Sequence, residues 1–146
     1  MKPLLIAFTL FSSVFAKTTF AQQNPITPAV LHTFNLSYSK ATNVKWSEVD
    51  NMYKAEFMLN DQSSSIFYSK DGAVIATSRF IVPSQLPIQL QASLEKNYKN
   101  YKLTGLFEVV NEEGSNFYAV VEDNKNKITL KSILNQDWAT HLRKRK

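Results

Sequence analysis

One apolar pattern occurs twice in this chain, sixty residues apart, and it limits the possible folds more than any other feature. The first copy is Ile26, Val30, Phe34 and Tyr38, and the second is Leu86, Leu90, Leu94 and Tyr98. Steps of four residues place apolar side chains along one stripe of a helix. The sequence therefore predicts two amphipathic helices, each of which needs an apolar surface to cover.

Short segments of alternating apolar and polar residues follow each predicted helix. They predict strands at 44–49, 53–59, 64–69 and 73–82 in the first half, and at 103–110, 116–122 and 128–133 in the second. Asp50-Asn51, Asn60-Asp61 and Asp71-Gly72 are residue pairs typical of tight hairpin turns. Sequential strands joined by tight turns pair antiparallel. We therefore predict an α+β fold with two helix-plus-antiparallel-strand repeats, one antiparallel sheet and both helices packed on one face.

The two repeats differ in detail. We place repeat one at about 26–82 and repeat two at about 84–133, within one domain at 22–134. The spacing of sixty residues slips after the helices, since Tyr53 then matches Tyr118. The second repeat is predicted to have lost or replaced its last strand. The basic tail at 135–146 is predicted to form a last helical turn through Trp138.

The first 21 residues have the layout of a secretory signal peptide. Lys2 precedes an apolar run from Leu4 to Phe15, and we expect cleavage after Ala21, where a polar stretch begins. A retained anchor is the alternative, but the run is shorter than the ~20 residues of a membrane-spanning helix. The protein is therefore expected to be exported, and to be periplasmic or extracellular.

Charge and cysteine content narrow the function classes. The chain has no cysteine, so burial of its 44% hydrophobic residues must stabilise the fold without disulfides. Of 17 basic residues, two lie in the predicted signal and four at 143–146, which leaves eleven against 12 acidic residues in the body. A nearly neutral body argues against nucleic-acid binding.

Motifs for catalysis and for metal binding are missing from the sequence. His32 and His141 are the two histidines, and neither belongs to a Gly-x-Ser-x-Gly or His-Glu-x-x-His motif. Three glycines make a phosphate-binding loop improbable. The Asp123–Asn126 segment is better explained as a polar hairpin turn than as a calcium loop. We expect no enzymatic activity, no cofactor and no metal.

The order of several short motifs resembles a known family. They are Pro28 and Val30 ahead of Phe34 and Tyr38, then Val44-Lys45-Trp46, Tyr53-Lys54-Ala55-Glu56-Phe57, Asp71-Gly72 and Leu86-Pro87. Over about 26–133 this order resembles the β-lactamase-inhibitor-like, PepSY-like family of small exported bacterial proteins, common in Bacteroidetes-type bacteria. The resemblance implies a doubled helix-plus-sheet fold, an envelope or secreted location and no assigned enzymatic activity. The related β-lactamase inhibitor protein grips an enzyme through its open sheet face. The tail after Asn135 departs from the family pattern.

Two sets of residues are candidates for binding. Alternation places Trp46, Tyr53 and Phe57 in the core, so the open face of the sheet is predicted to carry few aromatic residues and to contact a protein through Lys45, Lys54, Glu56, Met58 and Arg79. The tail could attach weakly to an anionic membrane surface through Trp138, Arg143, Lys144, Arg145 and Lys146. A solvated tail without a partner is the alternative.

Two functional hypotheses follow. The first is an exported, non-enzymatic and inhibitor-like binding module that engages a protein or peptide in the envelope through the open face of its sheet. The alternative is a small-molecule or envelope-stress-related ligand-binding protein that uses a cleft between the two halves. A third and weaker hypothesis is that the protein is an enzyme of unrecognised type.

Overall fold

The computed structural model describes residues 25–146, in which two α-helices and eight strands follow the predicted order closely. The first half contains α1 (Pro28–Ser37), β1 (Thr42–Val49), β2 (Met52–Leu59), β3 (Gln62–Tyr68) and β4 (Val74–Phe80). After a 3₁₀ helix at Pro83–Gln85, the second half contains α2 (Ile88–Asn97), β5 (Lys102–Asn111), β6 (Gly114–Glu122), β7 (Asn126–Ile133) and β8 (Asp137–Arg145). The predicted signal peptide lies outside the described residues.

The strands form a single antiparallel sheet in which spatial order equals chain order, from β1 to β8. Each strand thus pairs with its neighbours in sequence, and this includes β4 and β5, which α2 separates in the chain. The prediction of an α+β fold with one antiparallel sheet is confirmed. β1 and β8 are the two edges of the sheet.

Two of the three predicted hairpin turns are two-residue turns, whereas Asp71-Gly72 lies in a longer connection between Tyr68 and Val74. Asp50 and Asn51 have φ values of 48° and 65°, and Asn60 and Asp61 have 49° and 62°. Two successive residues at positive φ define the turn whose twist matches that of paired strands, and Asn and Asp tolerate this conformation better than most residues.

The C-terminal prediction is wrong. Residues of the expected helical turn and tail belong to β8, which pairs with β7 along its length. Leu134 and Asn135 have φ values of 48° and 56°, so they form a tight turn that returns the chain along β7. The second half therefore has lost no strand, since four strands follow each helix.

Buried residues form three clusters. Val30 and Phe34 of α1 pack with Tyr53, Ala55, Phe57, Ile66 and Tyr68, with Trp46 at the margin. Leu90 of α2 packs with Ile81, Leu86, Leu106, Phe117, Ala119, Val121, Ile128, Leu130 and Trp138. The third cluster consists of strand residues alone, namely Phe67, Ala76, Phe107, Val109, Tyr118 and Val120. The predicted core positions of Trp46, Tyr53 and Phe57 are confirmed.

The proposed match of Tyr53 with Tyr118 is wrong. Tyr53 packs with residues of α1, whereas Tyr118 belongs to a cluster that includes no residue of the described helices. Phe117 and Ala119, its neighbours in β6, pack with Leu90 of α2. Since successive side chains of a strand point to opposite faces, Phe117 and not Tyr118 points to the side of the sheet that packs on a helix, as Tyr53 does.

Both helices begin next to a proline. Pro28 occupies the first turn of α1, and Thr27 before it donates its Oγ1–H to the Lys70 carbonyl at 3.1 Å, so its side chain does not cap the helix. Ser84 lies in the 3₁₀ helix, and α2 begins at Ile88 after Pro87.

Candidate functional site

The register of the strands assigns every strand residue to one of two faces, because directly opposite residues share a face. One continuous row of such partners is Phe57, Ser64, Arg79, Glu108 and Phe117. Its two ends pack with residues of α1 and of α2, so we call this side of the sheet the helix-side face. The other side, which carries Lys54, Phe67 and Phe107, is called the opposite face.

A row of rings crosses the opposite face. Phe80, Phe107 and Tyr118 are directly paired partners on β4, β5 and β6. Phe80 and Phe107 meet edge to face with centroids 6.3 Å apart, and Phe107 stacks on Tyr118 at 5.4 Å with an interplanar angle of 2°. His141 of β8 meets Tyr118 edge to face at 5.6 Å. We call Phe80, Phe107, Tyr118 and His141 the aromatic row.

The aromatic row has a buried centre and exposed ends. Phe107 and Tyr118 are buried, whereas Phe80 is 45% exposed and His141 is exposed. Burial, and less strongly the charge of Glu113, raises the pKa of the Tyr118 hydroxyl. Tyr118 is therefore neutral at physiological pH, and its ring contributes an apolar surface.

Positive charge lies beside these rings. Lys131 is the direct partner of Tyr118 on β7, and its Nζ lies 5.9 Å from the centroid of the Tyr118 ring. Lys54 Nζ lies 5.7 Å from the centroid of the Phe67 ring. Both distances fall within the range of cation–π contacts.

Four of the five residues predicted for the protein-binding face do lie together on the opposite face. Lys45 is paired with Glu56, and Lys54, Glu56 and Met58 alternate along β2. Lys54 Nζ also donates to Glu56 Oε1 at 2.6 Å. These residues form the β1–β2 end of the same face that carries the aromatic row.

Arg79 does not join them. It is the direct partner of Ser64 and Glu108 on the helix-side face, and its Nε donates to Glu108 Oε2 at 2.8 Å. The prediction placed Arg79 wrongly because the register of β4 depends on its pairing with β5, which local alternation does not determine.

The aromatic residues of the opposite face were missed by sequence reasoning, which expected few of them there. Phe67 lies between Ile66 and Tyr68, and Phe117 to Val121 are five apolar residues in succession. Continuous apolar runs indicate strands that carry apolar residues on both faces. The signal for an apolar opposite face was therefore present in β3 and β6.

A cleft of about 280 Å³ opens on the helix-side face at the junction of the two halves. Its floor contains residues of β2, β3 and β4 from the first half and of β5 from the second, and Tyr38 at the end of α1 also lines it. Ser64, Thr77 and Arg79 lie in this floor.

Trp138 of the candidate membrane-surface tail lies in the core. It is 7% exposed, it packs with Leu90, and its Nε1–H donates to the Leu90 carbonyl at 3.0 Å. Trp138 therefore does not contact a membrane surface while the chain is folded. The prediction that Trp138 contacts a membrane surface treated the tail as exposed, whereas the tail is a strand whose residues alternate between the two faces of the sheet.

The four basic residues of the tail are exposed, but they are not equivalent. Lys146 Nζ lies 2.7 Å from Glu122 Oε2, and Lys127 Nζ lies 3.3 Å from Glu122 Oε1. The Lys146 contact is the largest cause that lowers the pKa of the Glu122 carboxyl, to about 2, with Thr104 and Lys127 adding to it. Arg143, Lys144 and Arg145 form no ion pair with another residue of the described chain.

The described part of the chain holds no cluster of three His, Asp or Glu residues that could ligate a metal ion. His32 is exposed on α1, and His141 belongs to the aromatic row. Neither α1 nor α2, the α-helices described, has the length and apolar character that a bilayer crossing requires.

Comparisons with known proteins show where this fold recurs. No family model and no curated protein matches the chain. A BLIP-like protein from Bacteroides fragilis is similar in structure, with a TM-score of 0.68, 18% identity, and coverage of 85% of this chain and 89% of that one. A candidate periplasmic protein from Bacteroides eggerthii has a TM-score of 0.75, 12% identity, and coverage of 84% and 90%. A DUF2874 family protein from Bacteroides ovatus has a TM-score of 0.70, 18% identity, and coverage of 84% and 89%.

At these identities the likeness establishes the fold. The resemblance to β-lactamase-inhibitor-like proteins of Bacteroidetes-type bacteria, predicted from the short motifs, is confirmed at that level. The names of these neighbours denote no enzyme family.

Proposed function

We propose that this protein is an exported, non-enzymatic and inhibitor-like binding module that engages a protein or peptide through the opposite face of its sheet. The aromatic row is the observation that carries the proposal. It places three aromatic rings and an imidazole in contact across a sheet face on which no described helix packs.

Packing requirements support this choice of face. A sheet is stable when its apolar side is covered by a second layer. On the helix-side face α1 and α2 supply that layer, whereas no residue of these two described helices belongs to the third cluster. A partner laid on the opposite face would supply the corresponding layer there.

The composition of the opposite face is that of a binding surface. Phe, Tyr, Trp and Met are enriched at protein interfaces. The opposite face offers Phe80 and His141 at the exposed ends of the aromatic row, and Met58 toward the β1–β2 end. Ring contacts with the buried Phe107 and Tyr118 position these two exposed ends.

The charge of the opposite face specifies the partner further. Lys45, Lys54 and Lys131 lie on this face, Lys54 and Lys131 beside rings, and Lys54 and Glu56 are paired with each other, so Lys45 and Lys131 leave the face net positive at these positions. The complementary surface is an apolar strip bordered by carboxylates, since opposite potentials steer association and fix orientation. We therefore infer an acidic protein or peptide segment as the partner.

The proposal includes a doubled architecture. Each half consists of one helix followed by four strands, and direct partners connect Phe57 below α1 to Phe117 below α2. This arrangement supports two repeats with both helices on one face. In this proposal the partner binds the face opposite the described helices, in a compartment reached by export.

The test uses two exposed apolar residues on different parts of the molecule. Phe80→Asp changes the aromatic row, and Leu36→Asp changes a 73% exposed position on α1. Each variant, with wild type, is used as bait for extracts of the native envelope, and captured proteins are identified and their Kd measured. We expect Phe80→Asp to weaken binding at least about tenfold and Leu36→Asp to leave it unchanged.

A second variant tests the charges. The double variant Lys54→Glu, Glu56→Lys exchanges the two charges, which preserves the net charge but moves the positive group. This variant should associate more slowly with a partner and bind it more weakly at low salt. Full binding by both the Phe80→Asp and the exchanged-charge variants would show that the opposite face is not the binding surface.

A further inference from the structure

The cleft on the helix-side face results from a change in side-chain size along one row of cross-strand partners. Phe57 and Phe117 are the large ends of the row, while Ser64 occupies an inner position on β3. Thr77 occupies the next row on β4, opposite Ile66 and Val110. Two small hydroxyl residues where a core would carry large apolar ones leave a volume of about 280 Å³.

The cleft has one cationic group with unused donors. Arg79 Nε donates to Glu108 Oε2 at 2.8 Å, and Ser115 Oγ donates to Glu108 Oε1 at 2.6 Å. Both oxygens of Glu108 are therefore engaged. The two Nη groups of Arg79 have no hydrogen-bond acceptor in the described part of the chain, and the Arg79 side chain is 43% exposed.

Glu108 thereby acts as a positioning residue for the guanidinium. It takes the Nε side of the group, which leaves the Nη1 and Nη2 hydrogens as a parallel pair of donors. Such a pair matches the two oxygens of a carboxylate, and charge-assisted hydrogen bonds of this kind are about twice as strong as neutral ones. An amine would be attracted by Glu108 but repelled by the adjacent guanidinium of Arg79.

Beside Arg79 and Glu108, the lining combines apolar side chains with the polar residues Gln62, Ser64, Ser65, Thr77 and Ser78. Phe57, Leu59, Ile66 and Val110 contribute to the cleft, and the Tyr38 ring stands beside Phe57 with centroids 5.2 Å apart. Ligand sites typically combine an apolar lining with a few placed polar groups, in volumes of roughly 300–1,000 Å³ for drug-sized molecules. A volume just below that range favours a smaller ligand.

We propose that this cleft binds a small carboxylic acid with an apolar body. The carboxylate accepts from the Nη groups of Arg79, and the body lies against Phe57, Ile66 and Val110. This site is independent of protein binding on the opposite face, because the two surfaces are separated by the sheet. It gives a chemical class to the ligand-binding hypothesis.

Isothermal titration calorimetry of the purified protein tests the site, with octanoate as the probe and 1-octanol and octylamine as matched probes of the same chain length. We expect octanoate to bind at least about tenfold more tightly than either matched probe, since they lack the carboxylate. Arg79→Gln should abolish this preference, and Thr77→Leu, which fills the floor, should weaken octanoate at least about tenfold. Lys99→Gln, at an exposed position after α2 and outside the cleft, is the control and should bind octanoate like wild type.

Thermal unfolding of each variant verifies that it is folded, and Arg79→Lys replaces Arg79→Gln if the latter is not. Lysine keeps the charge but not the parallel donors, so it should still weaken octanoate. Absence of octanoate binding at millimolar concentration would overturn the proposal. Equal affinity for octanoate and 1-octanol, or unchanged octanoate affinity in folded Arg79 and Thr77→Leu variants, would overturn it as well.

Discussion

The indole of Trp138 donates its Nε1–H to the carbonyl of Leu90 at 3.0 Å, across 48 residues of sequence. The bond joins the last strand to α2, and both residues are buried in the same cluster. Ser93 of α2 also donates to Asp137 Oδ1 at 2.5 Å. The C-terminal segment is therefore part of the folded unit.

Two replacements of Trp138 should destabilise the protein to different degrees. Trp138→Phe keeps most of the apolar contact but removes the hydrogen bond, and should lower the free energy of unfolding by about 1 kcal/mol or somewhat more. Trp138→Ala also leaves a cavity and should cost about 3–5 kcal/mol. Urea unfolding measures both, with Leu36→Ala as an exposed control. Equal stability of Trp138→Ala and wild type would contradict the packing described.

Alanine substitutions at Gly72 and Gly114 test how closely the turn after β3 approaches α1. Gly72 has φ +97°, and a Cβ there would lie 3.1 Å from the backbone carbon of Ala29 in α1. Gly114 has φ +111°, with no atom within 4 Å of the added Cβ. Both alanine variants incur about 1–2 kcal/mol of backbone strain. Gly72→Ala should lose more, because the turn must also move away from α1.

Urea unfolding of the two variants measures the difference. The free energy of unfolding should fall further in Gly72→Ala than in Gly114→Ala. The same loss in both would mean that the turn after β3 does not press on α1.

Acid should remove the stabilising contribution of Glu122. Lys146, with Thr104 and Lys127, lowers the pKa of this carboxyl from 4.5 to about 2. A lowered folded-state pKa stabilises the fold above the unfolded value, so the contribution is present above pH 4.5 and disappears as the pH falls to about 2. Glu122→Gln should be less stable than wild type at pH 6 and equally stable near pH 2.

Urea unfolding at several pH values between 2 and 6 measures this convergence. The pairs are solvent-accessible, so added salt should reduce the difference at pH 6. A constant difference between wild type and Glu122→Gln over the whole pH range would show that the ion pairs do not cause it.

Membrane attachment of the basic tail is expected to depend on Arg143, Lys144 and Arg145, because Lys146 is paired with Glu122. Each basic residue near an anionic surface contributes about 1 kcal/mol. The triple variant with glutamine at these positions should lose binding to phosphatidylserine vesicles at low salt, as measured by sedimentation. Neutral phosphatidylcholine vesicles and a Lys40→Gln, Lys45→Gln, Lys99→Gln variant are the controls. Unchanged binding by the tail variant would refute tail-mediated attachment.

Local regularities made much of the architecture predictable. Two apolar stripes, one through Val30 and Phe34 and one through Leu90, predicted α1 and α2. Helical periodicity can be recognised locally because it depends on residues three or four positions apart. Asp50-Asn51 and Asn60-Asp61 predicted two hairpins, since their conformational preference is a property of the residues themselves.

The residues of the candidate site were harder to predict from the sequence. Lys54 and Glu56 were placed on the correct face by alternation within β2. Arg79 was not, because its face is set by pairing with Glu108, 29 residues away. The aromatic row joins Phe80, Phe107 and Tyr118 from three strands, and neither its members nor their contacts follow from any one segment.

The sequence by itself determined the two helices, seven of the eight strands and the antiparallel class of this protein. These features depend on residues close together in the chain. Only the tertiary structure decided that Trp138 belongs to the core, that Arg79 lines a cleft on the helix-side face, and that an aromatic row crosses the opposite face. Each of those depends on the register between strands, where a shift of one residue moves every side chain to the other face.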